Sequence, residues 1–217
     1  MVRAHRDVSS RYPEPENERS LKSVAEAARS CRACDLWARG TQTVFGEGPR
    51  NADVMFVGEQ PGDVEDRRGE PFVGPAGHVL DEALEAAGIE RTRVYVTNAV
   101  KHFKWRPRGK RRLHEKPNAV EVAACRHWLE LELRLVRPAL VVALGATAAQ
   151  GLLGPSFRVT KERGKVVSSP LAPRVVATVH PSSILRAQDD ATRQREMAAF
   201  IDDLRIVAKL MEELVGT

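Results

Sequence analysis

Residues 54–62 read VMFVGEQPG, an uninterrupted apolar run that ends in a loop rich in Gly and Pro. A short apolar run bounded by turn residues is typical of a strand that is buried on both faces of a parallel sheet. Comparable runs are VYVTN (94–98), ALVVALG (139–145) and VVATV (175–179). The sequence therefore predicts four buried strands.

Helical patterns separate these strands. Ser20 is a candidate N-cap for a short helix and Asn118 for a long one, and a third helix is expected to end at Gly88. The stretch FRVTKERGKVV (157–167) predicts a hairpin with Gly164 in its turn. Strands that alternate with helices predict an α/β protein, a three-layer α/β/α fold with a central, mostly parallel four-stranded sheet.

The chain of 217 residues fits one domain, which we expect to span residues 20–217. Residues 1–19 are polar and charged, which predicts a disordered tail without the hydrophobic centre of a secretory signal. No apolar run reaches membrane-spanning length. We therefore expect a cytoplasmic monomer with no membrane partner.

The positive charge is concentrated in one segment. Residues 101–116 carry eight Lys and Arg and one Glu, a net charge of +7, whereas the whole chain has +5. The remainder holds 26 Lys and Arg against 28 acidic residues, a net charge of −2. Such a local excess predicts a polyanionic partner, most commonly nucleic acid, and a solvated surface loop is the alternative.

Three cysteines suggest a metal site. Cys31 and Cys34 form a CxxC pair, and Cys125 lies in the predicted long helix. An odd number of cysteines is a poor disulfide framework, so we expect free or metal-bound thiols in a reducing compartment. With His102 as fourth ligand the set suits zinc or an iron–sulfur cluster, and the spacing does not choose between them. Two ordinary thiols near a helix end are the alternative.

Polar side chains follow three of the predicted strands. Glu59 and Gln60 follow the first, Asn98 ends the second, and His180 follows the fourth. Ligands of α/β proteins bind beyond the carboxyl ends of the strands. The fold is therefore expected to bring these residues to one rim.

Several motifs, in a fixed order, carry a family resemblance. They are GEQPG (58–62), Glu65-Asp66, PFVGPAG (71–77), VTNAVKHFKW (96–105) and HPSS (180–183). From about Ser20 to the C-terminus the chain resembles the uracil-DNA glycosylase superfamily, in its iron–sulfur, family 4-like branch. The resemblance implies a uracil-DNA glycosylase fold and DNA-repair activity on uracil-containing DNA.

Two departures from that branch resemble its X subtype (UdgX). His102 stands where other members carry a fourth cysteine, and residues 110–114 (KRRLH) form an insertion similar to a KRRIH-type loop. The resemblance implies excision of uracil followed by a covalent bond between the loop histidine, His114, and the DNA. It also implies a [4Fe–4S] cluster, to which we assign a structural role, on Cys31, Cys34, His102 and Cys125.

The chemistry of uracil excision suits these side chains. The Asn98 amide offers a donor for uracil O4 and an acceptor for N3–H, and Phe72 can stack on the flipped base. His180 can donate to O2 as negative charge develops there. A neutral ring nitrogen of His114, kept neutral by the surrounding positive charges, can attack C1′. Glu59 can orient His114, accept its proton and stabilise the sugar cation.

The remaining assignments concern loop and substrate contacts. Gln60 is grouped with the catalytic residues because its amide can position the base or the loop, and Arg112 is expected to anchor the loop or a phosphate. Ile184 and Leu185 form an apolar pair that can wedge into the space vacated by the base. The other residues assigned to substrate binding are Gly58, Gly62, Asp63, Ser182, Ser183 and Arg186.

Two other functions remain open at this stage. One is a conventional turnover glycosylase, in which Glu59 activates water and His114 is incidental. The other is an iron–sulfur nucleic-acid-binding module without catalysis. Single-stranded DNA is the preferred substrate in our expectation, because removing a base from a duplex costs a few kcal/mol.

Overall fold

The computed structural model describes residues 12–215. The helices are α1 (Leu21–Ala28), α2 (Asp63–Arg68), α3 (Pro75–Ala86), α4 (Ala119–Val136), α5 (Gly145–Leu153), α6 (Val159–Glu162), α7 (Pro181–Leu185) and α8 (Asp190–Val215). The strands are β1 (Val54–Gly58), β2 (Val94–Asn98), β3 (Trp105–Arg108), β4 (Arg111–His114), β5 (Leu140–Leu144), β6 (Val166–Ser169) and β7 (Ala172–Thr178).

A five-stranded sheet forms the centre of the fold, with the strand order β2–β1–β5–β7–β6. Neighbours among the first four strands are parallel, and β6 is antiparallel to β7. The predicted α/β class and mostly parallel sheet are confirmed, but the sheet has five strands and not four. The additional strand, β6, lies at the edge of the sheet and has an alternating burial pattern.

The hairpin predicted over residues 157–167 is wrong. Val159–Glu162 form α6, and β6 pairs instead with β7, which follows it in the sequence. Gly164 does adopt a positive φ of 74°. It stands just after the last residue of α6 and its cap, Arg163, where glycine commonly ends a helix.

The sheet is covered on both faces, which confirms the three-layer arrangement. In β1, Val54 and Phe56 belong to the core shared with α3, α7 and α8. Met55 and Val57 belong to the core shared with α4 and α5. Strand residues alternate between the two faces of a sheet. Because both faces are covered, every residue of β1 is buried, as its apolar run predicts.

The basic segment folds as a hairpin that the sequence analysis treated only as a loop. β3 and β4 pair antiparallel, with Trp105 opposite His114 and Arg108 opposite Arg111. Gly109 has a φ of 57° in the two-residue turn, a conformation that glycine tolerates and hairpin turns require. His114 therefore lies at the base of the hairpin, far along the strand from its tip.

The N-terminal segment is described only from Tyr12 onward, so residues 1–11 of the expected tail lie outside the described residues. The Tyr12 hydroxyl donates to the Ala124 carbonyl at 2.7 Å, and its ring stacks on His127 with 4.4 Å between centroids. The predicted N-caps of α1 and α4 are both present. No helix within residues 12–215 is sufficiently long and apolar to cross a bilayer.

Candidate active site at the carboxyl edge of the sheet

The carboxyl ends of the parallel strands bring the predicted residues together. Gly58 pairs with Asn98 at the ends of β1 and β2, and Leu144 pairs with Thr178 at the ends of β5 and β7. Glu59 and His180 follow directly on this edge. The site is therefore built from backbone that the sheet holds in register.

Asn98 and Phe72 both lie against Gly58 at the end of β1. Asn98 is 3 % exposed, and its side-chain amide makes no hydrogen bond with any group in residues 12–215. A Cβ on Gly58 would overlap the Asn98 Oδ1 and lie 2.7 Å from Phe72 Cζ. Glycine at position 58 thus lets the amide and the ring approach the strand end. The Asn98 amide is therefore available to a bound ligand, since the polar groups of buried residues are otherwise paired.

The backbone of Phe72 is in the left-handed region, with a φ of 57°, which is uncommon for an aromatic residue. The PFVGPAG segment (71–77), to which Phe72 belongs, explains how the fold accommodates this conformation. A Cβ on Gly77 would overlap the Phe72 carbonyl, so only glycine there lets the start of α3 pack beneath it. Strain of this kind is concentrated at functional sites. The Phe72 ring faces the His180 ring at 6.2 Å between centroids.

A buried ion pair contacts the backbone of Asn98. The Lys101 ammonium is paired with Glu132, and both side chains are almost completely inaccessible. It also donates to the Asn98 carbonyl at 2.8 Å and to Thr97 Oγ1 at 2.6 Å. Burial is the main reason that the pKa of Tyr95, a further neighbour of Glu132, is raised. The sequence analysis did not assign Lys101 a role, although it is the last residue of the TNAVK motif.

His180 is held as a neutral donor. Its Nδ1 accepts from the Ser182 backbone N–H at 3.2 Å and lies 2.8 Å from the Ser182 hydroxyl. A backbone N–H can only donate, so the ring proton must be on Nε2, which leaves Nε2–H available to a ligand. Burial, followed by Arg186 and His114, lowers the pKa of His180 to about 4. The ring is therefore uncharged near neutral pH.

His114 lies beside Glu59. Its Nε2 is 3.4 Å from Glu59 Oε1, and the His114 side chain is 50 % exposed. Burial is the main cause of its lowered pKa, Glu59 opposes the shift and Arg186 adds to it. The expected effect of positive charge is thus present, but it comes from Arg186, the residue that follows α7, and not from the basic hairpin itself.

Gln60 holds the base of the hairpin. Its Nε2 donates to the carbonyl of Lys104 at 3.2 Å and to that of Glu115 at 3.0 Å. Its Oε1 accepts from the Lys104 backbone N–H at 3.0 Å. The Gln60 amide therefore bonds both flanks of the hairpin. These contacts correspond to the predicted positioning of the loop, and they leave no N–H of the Gln60 amide available to a base.

Arg112 fixes the hairpin to α2. Its guanidinium donates to the carboxylates of Asp63 and Asp66, and to Thr41 Oγ1 at 3.1 Å. Asp66 is fully buried, and both hydrogen bonding and charge from the two aspartates raise the pKa of Arg112 against the opposing effect of burial. Of the two roles predicted for Arg112, the contacts correspond to loop anchoring. Asp63 is likewise engaged by Arg112 and Arg67.

The start of α7 surrounds His180. Ser183 Oγ donates to the His180 carbonyl at 2.8 Å, and Arg186 donates to Ser182 Oγ at 3.0 Å. Of the predicted wedge pair, Ile184 is buried in the core, whereas Leu185 is 39 % exposed. Gly62 caps the start of α2, where a Cβ would lie 2.6 Å from Glu65 Oε2.

The four predicted metal ligands line one pocket between α1, α4 and the segment after β2: Cys31, Cys34, His102 and Cys125. The Trp128 indole N–H donates to Cys31 Sγ at 3.2 Å, and the Lys101 backbone N–H to Cys125 Sγ at 3.1 Å. Such donors are usual around cluster-bound sulfur. No compact group of three His, Cys, Asp or Glu suited to one ion occurs within the described ranges. Three thiols and one imidazole are, by their chemistry, a donor set that suits zinc or an iron–sulfur cluster.

The ligand side chains are buried, and this affects their protonation. Burial is the main cause that raises the pKa of Cys125 to about 12 and the pKa of Cys34 above its usual value. Burial also lowers the pKa of His102 to about 4, so the ring is uncharged at neutral pH, and its Nε2 lies 3.0 Å from Thr43 Oγ1. Thiolates here require a nearby positive charge, which a bound metal group would supply.

Comparison with known proteins shows the family of this chain. The profile of the Uracil DNA glycosylase superfamily matches residues 45–205. The Type-4 uracil-DNA glycosylase of Thermotoga maritima is 39 % identical over 178 residues, which cover 82 % of this chain and 89 % of the relative. That of Archaeoglobus fulgidus is 38 % identical over 173 residues (76 % and 83 %), and a Type-5 uracil-DNA glycosylase of Pyrobaculum aerophilum is 33 % identical over 182 residues (76 % and 76 %). The chain belongs to the uracil-DNA glycosylase superfamily.

Proposed function

We propose that this protein excises uracil from DNA and then forms a covalent bond with the resulting sugar through His114. Excision is the activity named for the Type-4 and Type-5 relatives. The observation that carries the second step is the position of His114, whose Nε2 lies 3.4 Å from Oε1 of Glu59, the residue that follows β1.

Base recognition is supported by the unpaired Asn98 amide. It can donate to uracil O4 and accept from N3–H, whereas cytosine presents the opposite pattern at these atoms. Phe72 provides a face for stacking. The Nε2–H of neutral His180 is the donor for O2, where negative charge builds up as the base leaves. These three groups act on the base alone.

Covalent capture requires a neutral nucleophile near C1′. The C1′–N1 bond breaks with its electron pair passing to uracil, which takes up a proton from water. An unprotonated ring nitrogen of His114 then forms the new bond to C1′. The imidazolium so formed loses its remaining N–H proton to the Glu59 carboxylate and from there to water. The resulting C–N bond is neutral and has no ready leaving group.

Substrate DNA is expected to approach along the hairpin. Arg106 is 65 % exposed, and together with Lys104 and Lys116 it lines a groove next to His114. Positive side chains of this kind bind phosphates without reading sequence. Single-stranded DNA is the preferred form in this proposal, because its bases need no extrusion from a duplex.

We assign a [4Fe–4S] cluster to Cys31, Cys34, His102 and Cys125. The group would supply the charge that keeps the buried thiols ionised, and it would join α1, α4 and the residues that lead into the hairpin. Its role is structural in this proposal. Brown colour and an iron content of four per chain, measured on purified protein, are the expected results; stoichiometric zinc would contradict the assignment.

The decisive test replaces His114 by serine. Wild-type protein mixed with a uracil-containing single-stranded oligonucleotide should give a band on a denaturing gel that survives heat and detergent. His114→Ser should release uracil but give no such band. His78→Ser, a change at an exposed histidine of α3, is the matched control and should behave as wild type. A stable band with His114→Ser would show that the nucleophile is another residue.

A turnover glycosylase is the second candidate. The Type-4 relatives support it, because uracil-DNA glycosylase is the activity in their names. Glu59 would then activate water, and the wild-type protein would release many uracils per chain without a stable band. A non-catalytic binding module would release no uracil at all, and Asn98→Ala would leave its DNA affinity unchanged.

A further inference from the structure

The first turn of α5 contacts two groups of the site, although no motif marked it. Gly145 has a φ of 85°, and a Cβ there would lie 3.0 Å from His180 Cβ. Two residues later, Thr147 is 7 % exposed and its hydroxyl donates to Oε2 of Glu59. The end of β5 thus contributes to the same edge as the other three parallel strands.

The two oxygens of Glu59 have different neighbours. Oε2 accepts from Thr147, and Oε1 faces His114 at 3.4 Å. Within residues 12–215, Thr147 is the residue that donates a hydrogen bond to this carboxylate. The last torsion of a glutamate side chain is otherwise broad, so the carboxylate plane would be poorly defined without this hydrogen bond.

The contact differs from the usual behaviour of threonine in a helix. A helical threonine commonly bonds a carbonyl of the preceding turn. The Thr147 hydroxyl instead crosses to a residue 88 positions away in the sequence. The hydrogen bond is also charge-assisted, which makes it stronger than a bond between neutral groups.

We propose that Thr147 is a positioning residue for covalent capture, an inference that rests on the proposed function. By holding Oε2, it directs Oε1 toward the ring of His114. Oε1 then orients the imidazole for attack and receives the proton that the new imidazolium loses. Thr147 touches neither base nor sugar, so its contribution concerns the capture step and not the release of uracil.

The test compares Thr147→Val with wild type in single-turnover reactions on a uracil-containing single-stranded oligonucleotide. Uracil release and covalent adduct are both measured, so that release serves as an internal control for folding. We expect the adduct formed per uracil released to fall about ten-fold, the effect of losing one hydrogen bond to a charged group. Uracil release itself should change by less than about three-fold.

Matched variants keep the inference falsifiable. Thr147→Ser retains the hydroxyl and should restore the wild-type ratio, and Thr160→Val, at an exposed position of α6, should leave it unchanged. If the Thr147→Val protein melts at a lower temperature than the wild type, Thr147→Ala is tested in its place. An unchanged ratio in a folded variant without the hydroxyl would overturn the inference.

Failure of the proposed function gives a different result. Wild-type protein that releases uracil without adduct would refute covalent capture. Glu59 would then act on water, and Thr147→Val should slow the release of uracil about ten-fold. If Thr147→Val and wild type then release uracil at equal rates, the positioning role is refuted as well. A wild-type protein that releases no uracil would also refute it.

Discussion

The base pocket and the hairpin contribute to one site but are held in place by different interactions. Asn98 and Phe72 are 3 % and 8 % exposed and belong to, or pack against, the ends of parallel strands. His114 is 50 % exposed and lies on a two-stranded hairpin outside the main sheet. Side-chain contacts of Gln60 and Arg112 join this hairpin to the rest of the site.

In the proposed function, excision and capture therefore have separate structural requirements. Asn98, the proposed base-recognition residue, ends β2, a strand that is buried throughout. His114, the proposed nucleophile, lies on a hairpin that a few polar contacts hold in place, and these contacts can be removed singly. We therefore expect variants of the pocket to lower both steps together, and variants of the hairpin contacts to lower capture alone.

The largest effect is expected for Asn98→Ala. Loss of two hydrogen bonds to the base should lower single-turnover uracil release by about 100-fold, and adduct formation should fall in parallel because it follows release. Asn51→Ala, at an exposed turn, is the control. Normal release with Asn98→Ala would mean that another group recognises uracil.

Arg112→Ala should separate the two steps. Without the guanidinium, buried Asp66 loses a charged partner and the hairpin loses its link to α2. We expect the ratio of adduct to released uracil to fall about 30-fold, with release changed by less than about three-fold. Arg112→Lys should have a ratio of adduct to released uracil close to that of Arg112→Ala, because an ammonium cannot contact both aspartates with the fork geometry of arginine.

Arg111→Ala is the matched control for this change, since Arg111 lies on the same strand and is exposed. It should keep the wild-type ratio. A ratio that falls equally in both variants would show that general loss of positive charge, and not anchoring by Arg112, governs capture.

The pH dependence of capture should follow the neutral form of His114. Burial and Arg186 lower its pKa and Glu59 raises it, while His180, Lys104, Arg106, Glu115 and Lys116 are the other ionisable groups nearby. Adduct formation should be constant above the usual histidine pKa of 6.5 and should decline only as the pH falls below it. Because protonation removes the attacking lone pair, a rate that rises toward acid pH would contradict this assignment.

Arg186→Gln sharpens the pH prediction. Removing this positive charge should raise the pKa of His114, so the decline in adduct formation should begin at higher pH than in wild type. Rates of adduct formation measured across a pH series for both proteins test this shift. Coincident profiles would mean that burial and Glu59, without Arg186, set the pKa of His114.

The smallest effect is expected at the hairpin tip. Lys110→Gln removes one exposed charge in the two-residue turn, at the opposite end of the hairpin from His114. Binding of an uncleavable single-stranded oligonucleotide should weaken a few-fold, and the slope of log K against log salt should decrease by roughly 0.7 for one lost phosphate contact. An unchanged slope would place the DNA away from the tip.

The sequence predicted the parts of the fold that depend on local patterns. Apolar runs identified four of the sheet strands, and the rule for parallel sheets correctly placed Glu59, Asn98 and His180 on one edge. The β3–β4 hairpin was missed because Lys and Arg fill half of its positions and no apolar alternation marks it. A two-residue Gly-Lys turn between short segments was the available signal.

Contacts between distant residues were beyond sequence reasoning. The chain alone gives no indication that Arg112 meets Asp63 and Asp66, or that Gln60 bonds both flanks of the hairpin. Thr147 lies in the small-residue stretch GATAA (145–149), where nothing distinguishes it from a helix-forming position. Its relation to Glu59 depends on β5 and β1 being neighbours in the sheet, which is a property of the folded chain.

The mass of the intact protein after reaction with a short uracil-containing oligonucleotide tests covalent capture most directly. We predict a single added mass equal to the oligonucleotide minus uracil, and fragmentation should locate it at His114. Unmodified protein beside DNA that has lost all of its uracil would contradict capture and leave an enzyme that uses water.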